Sequence, residues 1–480
     1  MMVVGRTVAL VLLLAGTAHA GITYELGYRL DQSDTVAVTV TPDRPVKAPI
    51  EFIVPRTYPG GYAEIPYDHY VEGLAAVGAD GQPLKIKRDA DGPRYRLGES
   101  GQSLESIQYR VAVARMEKDT VDAVSSSKLR PGYAGILGYS VFGYLEGLEA
   151  EPARLKVSAP PNWPVLLTLN PRVPLRLGTA EGESPDFYEL ADSQVLMGSK
   201  LMTQRLDGKI PLFIAVYAEA PVSFELEAKL AREALDCVQD YFGDVPMAAY
   251  TVGMEFLQPL DQHHEYGFSQ EHVASGSFTL PAEAALTERS DPRELRRTGS
   301  NFAHHMAHSW IPKRAYGEGY RPFNWEMEPV IDTIWFNEGF GRYAAIQAMA
   351  LGMPAEEGKS FRDAQLASLR AIIDSAPPFI RRMRLEVLSR EASFLYSSDF
   401  RTGRNIFARG ALMAAEMDDR IQKQTKGAKS LREALRWLLK WSESNHRPFA
   451  TADLPRYFAT ATGVDVADIL ERWQEPLEHP

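Results

Sequence analysis

The stretch "NFAHHMAHSWIPKR", residues 301–314, carries three histidines within five positions. At about 100° per residue, His304 and His308 fall one above the other on a single face of a helix. Three apolar residues fall on roughly the opposite stripe, namely Phe302, Met306 and Trp310. We therefore predict a helix that packs with one face and presents two imidazoles with the other.

The predicted helix has clear ends. Asp291 before Pro292, with Glu294 at the third helical position, is a typical helix start. Pro312 is a helix stop, so the histidines lie near the carboxyl end of the helix.

A metal site follows from the histidine spacing. Two His at positions i and i+4 let both ring nitrogens reach one ion. Thirty residues further on, "TIWFNEGFGRYAA" (333–345) places Glu338 on a second predicted helix, where its carboxylate can complete a two-His, one-Glu site. Such a site leaves a fourth position open, as catalytic zinc sites do. The alternative is that His304 and His308 are partly buried helix residues bonded to neighbours.

These motifs together resemble the glycyl aminopeptidase family of secreted zinc metallopeptidases. The family carries a His-Glu-x-x-His-x-Trp helix, a Lys-Arg step, a Pro-Phe-Asp-Tyr-like loop and a Trp-x-x-Glu-Gly-Phe helix. Here these read "HHMAHSW", "PKR", "RPFNWE" and "WFNEGF". The resemblance implies one Zn²⁺ per chain, with His304, His308 and Glu338 as its ligands.

The resemblance extends over nearly the whole chain after the first twenty residues. "VPRTYPGGY" (54–62) and "FYELADSQVLMG" (187–198) are similar to amino-domain segments, and residues 408–438 are similar to the closing helices. The fold class expected is a multidomain α+β protein, with an N-terminal β-rich domain followed by a mainly α-helical, thermolysin-like catalytic-type domain. A PDZ domain often follows in this family, and none is expected after Pro480.

The resemblance also names candidate catalytic residues, with departures from the family pattern. His305 stands where the family has its general-base Glu, a change that decides activity because such a base is worth ~10² to 10⁴ in rate. Glu271 falls where a carboxylate holds the substrate's free amino group, although a solvated edge-strand carboxylate is its alternative. Glu265 and Glu271 are also possible substitute bases. Phe407 replaces a frequent Tyr, for which Tyr396 is the candidate substitute.

The hydrophobic pattern divides the chain. Short alternating segments such as "TVAVTVTP" and "IQYRVAVAR" predict a β domain over 21–215, and helical periodicity predicts a mainly helical domain over 216–480. The resemblance implies that this second domain is metallopeptidase-like. Residues 1–20, with an apolar core and a small-x-small site, predict a cleaved signal peptide and hence a secreted or periplasmic protein without a stable membrane span. The lone Cys237 permits no internal disulfide.

The charge composition excludes one class of binding partner. Asp and Glu total 63 against 52 Lys and Arg, a formal net charge of -11, so nucleic acid is not expected as a partner. The expected partner is a peptide, as substrate or as ligand. The sequence leaves open a zinc aminopeptidase acting on small amino-terminal residues, a catalytically inactive peptide-binding or scaffolding homologue, and a hydrolase of another substrate. It does not define the oligomeric state.

Overall fold

The computed structural model describes residues 21–120, 125–172, 174–396 and 399–477. The predicted signal peptide over residues 1–20 lies outside this described part. Across the described residues, no helix combines the length and apolar character needed to cross a membrane.

The first half of the described chain is built from strands joined by short helices. In chain order they are β1 (Ile22–Gly27), β2 (Val36–Pro42), β3 (Val46–Lys47), β4 (Ile50–Ile53), β5 (Val71–Gly78), β6 (Ile86–Arg88), β7 (Arg94–Leu97), β8 (Ser103–Val111), α1 (Val113–Asp119), β9 (Lys128–Arg130), β10 (Tyr133–Leu137), α2 (Gly138–Val141), β11 (Tyr144–Leu145), β12 (Ala153–Ser158), β13 (Pro164–Leu167), β14 (Arg176–Leu177), β15 (Thr179–Ser184), α3 (Phe187–Ala191) and β16 (Gln194–Met197).

These strands form three sheets. The seven-stranded sheet has the order β15-β12-β1-β2-β8-β3, with β5 also paired to β8. The other two have the orders β14-β13-β16-β10-β9 and β11-β4-β7-β6. The alternation in "VAVTVTP" buries Val36, Val38 and Val40 on one side of β2, because successive side chains of a strand point to opposite faces.

The second half begins with a small sheet and continues as helices. Its elements are β17 (Met202–Leu206), β18 (Leu212–Ala218), α4 (Phe224–Phe242), β19 (Tyr250–Leu257), β20 (Phe268–Glu271), β21 (Ser275–Pro281), α5 (Pro292–Ala307), a π-helical turn (Trp335–Phe340), α6 (Gly341–Leu351), α7 (Ala355–Asp374), α8 (Pro378–Arg381), α9 (Leu385–Leu395), α10 (Phe400–Gln424), α11 (Leu431–Asn445), α12 (Leu454–Thr462) and α13 (Ala467–Gln474). The sheet order is β17-β18-β19-β21-β20.

The predicted α+β class is confirmed, with a β-rich N-terminal region followed by a mainly helical C-terminal region. Each half has its own large apolar core. The domain boundary at residue 215 stays a prediction, and the strand Leu212–Ala218 crosses that position.

Buried polar contacts join the two halves beside the site. Asp192 accepts hydrogen bonds from the Lys313 ammonium at 3.2 Å and the Val273 backbone N–H at 2.6 Å, and its Oδ1 lies 3.2 Å from His272 Nδ1. Lys313 also donates to the Pro59 carbonyl at 3.1 Å. The lysine of the "PKR" segment therefore fixes the chain after α5 against the N-terminal region.

Candidate metallopeptidase site

Helix α5 is formed and oriented as its sequence predicts. The Asp291 side chain accepts hydrogen bonds from the backbone N–H groups of Arg293 and Glu294, and the Glu294 carboxylate accepts one from the Asp291 N–H. This reciprocal capping box satisfies donors that a helix start leaves free. The apolar stripe is fully buried, through Phe302, Met306 and Trp310.

The helix ends at Ala307, before the expected stop at Pro312, and His308 is its C-cap residue with helical backbone angles. Both imidazoles still project from the face opposite the apolar stripe. His304 is 6% exposed and His308 is fully buried. The ring nitrogens are therefore removed from bulk water.

The element that carries Glu338 is a π-helical turn leading into α6, where a plain helix was predicted. Its wider backbone is packed closely on α10, since a Cβ added at Gly339 would lie 2.4 Å from the Gly410 Cα. Only glycines permit this approach. A π-helical turn of this kind is often found at functional sites.

Three donor atoms converge from the two elements. His304 Nε2 and His308 Nε2 are 3.3 Å apart, and Glu338 Oε2 lies 3.6 Å from the first and 3.3 Å from the second. Tetrahedral donors about 2.0–2.1 Å from one ion are themselves about 3.3–3.4 Å apart. The separations, the donor types and the burial of all three residues therefore fit a zinc ion.

Neighbouring groups orient two of these donors. The His308 Nδ1–H donates to the Ile311 carbonyl at 2.8 Å, which leaves Nε2 as the ring nitrogen that faces the cluster. Tyr62, from the N-terminal region, donates its hydroxyl to Glu338 Oε1 at 3.1 Å and accepts from Asn337 Nδ2 at 3.2 Å. Such outer contacts hold ligands in place and tune metal affinity.

Electrostatics favour a cation at this point. Burial alone would lower the pKa of His308, but the Glu271 and Glu338 carboxylates outweigh it and raise that pKa to about 9. Burial and the charge of His308 hold the pKa of His304 well below its ordinary value. The metal-free cluster thus carries a proton on His308, which a divalent ion would displace.

Glu271 and His305 lie next to this cluster. Glu271 is buried, which corrects the alternative of a solvated edge-strand carboxylate. Burial opposes its ionisation, but His308, His305 and Lys313 outweigh burial and lower the pKa of Glu271 to about 2. His305 Nδ1 is 3.6 Å from Glu271 Oε2. The His305 ring also lies close to His308, because ligating atoms of Glu271, His305 and His308 all lie within 4.8 Å of one another.

The cluster opens into a cavity of about 210 Å³. Its walls include His304, His305, Glu271 and Glu338, together with the aromatic side chains of Tyr396, Phe400 and Phe407. The Tyr396 ring lies 6.0 Å from the Phe407 ring and 5.3 Å from the Tyr62 ring. The structure therefore brings together His304, His305, His308, Glu338, Glu271 and Tyr396.

The histidines near Glu271 in sequence and Glu265 do not line this cavity. Glu265 is exposed and is absent from the described walls of the cavity. His263 is exposed, whereas His264 is buried against the Glu117 carbonyl at 2.9 Å. His272 lies 3.1 Å from the Ser277 hydroxyl and also contacts Asp192.

The N-terminal region supplies site residues that the sequence reasoning did not assign. Tyr62 contacts Glu338, and Gly60 lies against Glu271, where an added Cβ would be 2.2 Å from Glu271 Oε1. The sequence "YPGGY" (58–62) did carry an indication of this contact, because paired glycines before an aromatic residue indicate a close backbone approach. Its target in a distant part of the chain was not readable from the sequence.

The fold is similar to that of solved structures described as aminopeptidase N family and M1 zinc metallopeptidase proteins. An aminopeptidase N family protein from Idiomarina loihiensis matches this fold with a TM-score of 0.81 at 17% identity, over 95% of this chain and 76% of that chain. An M1 zinc metallopeptidase from Deinococcus radiodurans matches with a TM-score of 0.54 at 16% identity, over 96% and 95% of the two chains. A mutant of an M1 enzyme from the same organism, bound to a Tyr-Ser-Ala substrate, gives 0.55 at 16% identity over the same shares.

A sequence match is more specific for the first part of the chain. Residues 23–199 match the Peptidase M61 N-terminal domain, that of the glycyl aminopeptidase family. No curated protein matches the chain. The predicted resemblance is thus confirmed for the N-terminal region, and the similarity of the remainder to solved structures is one of fold.

Proposed function

We propose that this protein is an exported, zinc-dependent metallopeptidase of aminopeptidase type that acts on peptides with small amino-terminal residues. The observation that carries the proposal is the convergence of His304 Nε2, His308 Nε2 and Glu338 Oε2 at separations of 3.3–3.6 Å in a buried site. The Tyr-Ser-Ala peptide bound to the M1 relative supports a peptide as the substrate. The small cavity supports the preference for a small residue.

The proposed roles follow from position. His304, His308 and Glu338 would hold one zinc ion per chain, which supplies Lewis-acid chemistry at the substrate carbonyl. Glu271, ionised across the physiological range, faces the same cavity and would bind the substrate's amino group. This pairing of a charged amine with a buried carboxylate would select free amino termini.

His305 is proposed to take the place of the family's general base. Burial lowers the pKa of His305 despite the opposing effect of Glu271, so its imidazole is neutral near pH 7 and can accept a proton. The product is a cation close to a metal ion, which opposes the step. Tyr396 lies on the cavity wall and would stabilise charge on the substrate carbonyl in place of the Tyr that Phe407 replaces.

The second candidate function is peptide binding without catalysis. His305 itself favours it, because loss of a positioned general base such as the motif's Glu costs ~10² to 10⁴ in rate. In that case the metal, Glu271 and the cavity would still recognise an amino terminus.

The test compares hydrolysis of small amino-terminal peptides by wild type, His305→Glu and His305→Ala, all shown to hold equal zinc. Restoring the motif's carboxylate is expected to raise the rate by ~10-fold or more. Repulsion between the new carboxylate and Glu271 limits the gain. A wild type faster than both variants makes His305 the working base, and inactivity of all three supports the peptide-binding function. Equal zinc in wild type and His308→Ala would contradict the metal assignment.

A further inference from the structure

A second group of donors lies beside the proposed zinc ligands. Ligating atoms of Glu271, His305 and His308 all lie within 4.8 Å of one another. His305 Nδ1 is 3.6 Å from Glu271 Oε2, beyond hydrogen-bond distance. Three nitrogen and oxygen donors from two elements therefore surround a second point in the same buried cluster.

Two polar atoms of this group lack partners. His305 Nδ1 and Glu271 Oε1 are both buried and have no hydrogen-bond partner among the described residues. Glu271 is 4% exposed and His305 is 9% exposed. Burying such atoms without a partner is costly. The carboxylate oxygen and the imidazole nitrogen face one region, and together they point to a ligand that supplies positive charge.

The two donor groups share His308, and this limits the number of ions. Because the His308 Nδ1–H is occupied by the Ile311 carbonyl, only Nε2 has a free lone pair. One lone pair binds one ion, so the two groups compete for a single ion. Histidine and carboxylate donors together suit zinc, and Co²⁺ can replace zinc as a coloured probe of such a site.

We propose that Glu271, His305 and His308 form an auxiliary metal site, which overlaps the site of His304, His308 and Glu338 and retains the ion when that site is incomplete. When the first site is incomplete, Glu271 and His305 bind the metal together with His308. An amino terminus that binds Glu271 competes with the ion for this carboxylate. Metal binding at the auxiliary site depends on His308, as the proposed function does, but it does not depend on peptide hydrolysis.

Cobalt binding tests the auxiliary site without any measure of activity. Purified variants are titrated with Co²⁺, and binding is read from the visible absorption bands and from metal content after equilibrium dialysis. His304→Ala disables only the first donor set, and we expect it to keep about one cobalt per chain with weakened affinity. Adding His305→Ala should weaken binding by a further ~10-fold or more. His308→Ala should abolish specific binding, because it disables both sets.

The controls separate this proposal from the proposed function. His264→Ala removes a buried histidine outside both groups and should bind cobalt as wild type does. If His304→Ala unfolds, as judged by circular dichroism, Glu338→Gln disables the same donor set. If wild type binds cobalt but His304→Ala binds it no more tightly than the double variant, the auxiliary site is contradicted and the proposed function is not. Wild type that binds no metal overturns both proposals.

Discussion

Tyr62→Phe removes a single oxygen that links the N-terminal region to the proposed zinc ligand Glu338. Tyr62 is 1% exposed, donates its hydroxyl to Glu338 Oε1 and accepts a bond from Asn337 Nδ2. Burial and the charge of Glu338 raise the pKa of Tyr62 well above its usual value, so the hydroxyl stays a donor at any physiological pH. The substitution keeps the ring and leaves both partners buried with one bond fewer.

The expected loss can be derived from these contacts. A hydrogen bond to a charged group contributes ~1.5–3 kcal/mol, and each ~1.4 kcal/mol changes an affinity tenfold. The bond orients a carboxylate that would bind the metal, and loss of such outer contacts costs ~10- to 100-fold in metal affinity. We therefore expect Tyr62→Phe to weaken zinc binding by ~10- to 100-fold while the chain still folds.

The assay is competition for zinc with a chromophoric chelator. Tyr133→Phe is the matched control, because Tyr133 also donates from a buried hydroxyl to a carboxylate, that of Glu255 at 2.8 Å, but away from the candidate site. The control should lower stability and leave zinc affinity unchanged. The positioning argument would be refuted if the zinc affinities of Tyr62→Phe and wild type lay within about threefold of each other. It would also be refuted if Tyr62→Phe and Tyr133→Phe lost zinc affinity equally.

Three further perturbations have defined outcomes. Burial raises the pKa of Glu227 from its ordinary value of 4.5 to about 7. The folded state therefore loses about 3 kcal/mol of stability as pH rises between these values. Glu227→Gln should remove that slope in urea unfolding at pH 5 and pH 8. Gly60→Ala adds a Cβ 2.2 Å from Glu271 Oε1 and should destabilise the chain by at least ~1–3 kcal/mol in the same assay. Asp192→Asn leaves the fully buried Lys313 without its paired charge and should cost ~3–5 kcal/mol in thermal or urea unfolding.

Matched controls accompany these variants. Gly101→Ala has a similar positive φ but open space around the new Cβ, so it isolates backbone strain from the clash at Gly60. Asp31→Asn breaks an exposed ion pair and should change stability little. Equal losses for the two glycine variants, or for the two aspartate variants, would contradict the packing and burial arguments. An unchanged pH slope in Glu227→Gln would contradict the buried-carboxyl argument.

Local patterns predicted much of the fold. Alternation in "TVAVTVTP" predicted the buried side of β2, and the Asp291 start predicted a helix that presents His304 and His308 together. These features depend on side-chain periods of 2 and 3.6 and on capping by near neighbours, which act within a few residues. The π-helical turn at Glu338 was not predicted, because the close approach of Gly339 to Gly410 that accompanies it joins segments far apart in sequence.

The sequence by itself determined the α+β class, the spacing of the proposed metal ligands and the presence of His305 between them, because residue types and their local periods are sufficient for each. Only the tertiary structure decided which distant groups meet the histidines. Tyr62 reaches Glu338 across 276 positions, and Glu271 meets His305 through the edge strand β20. Such contacts depend on how whole sheets and helices pack, and packing is a sum over long-range contacts that no short window of sequence contains.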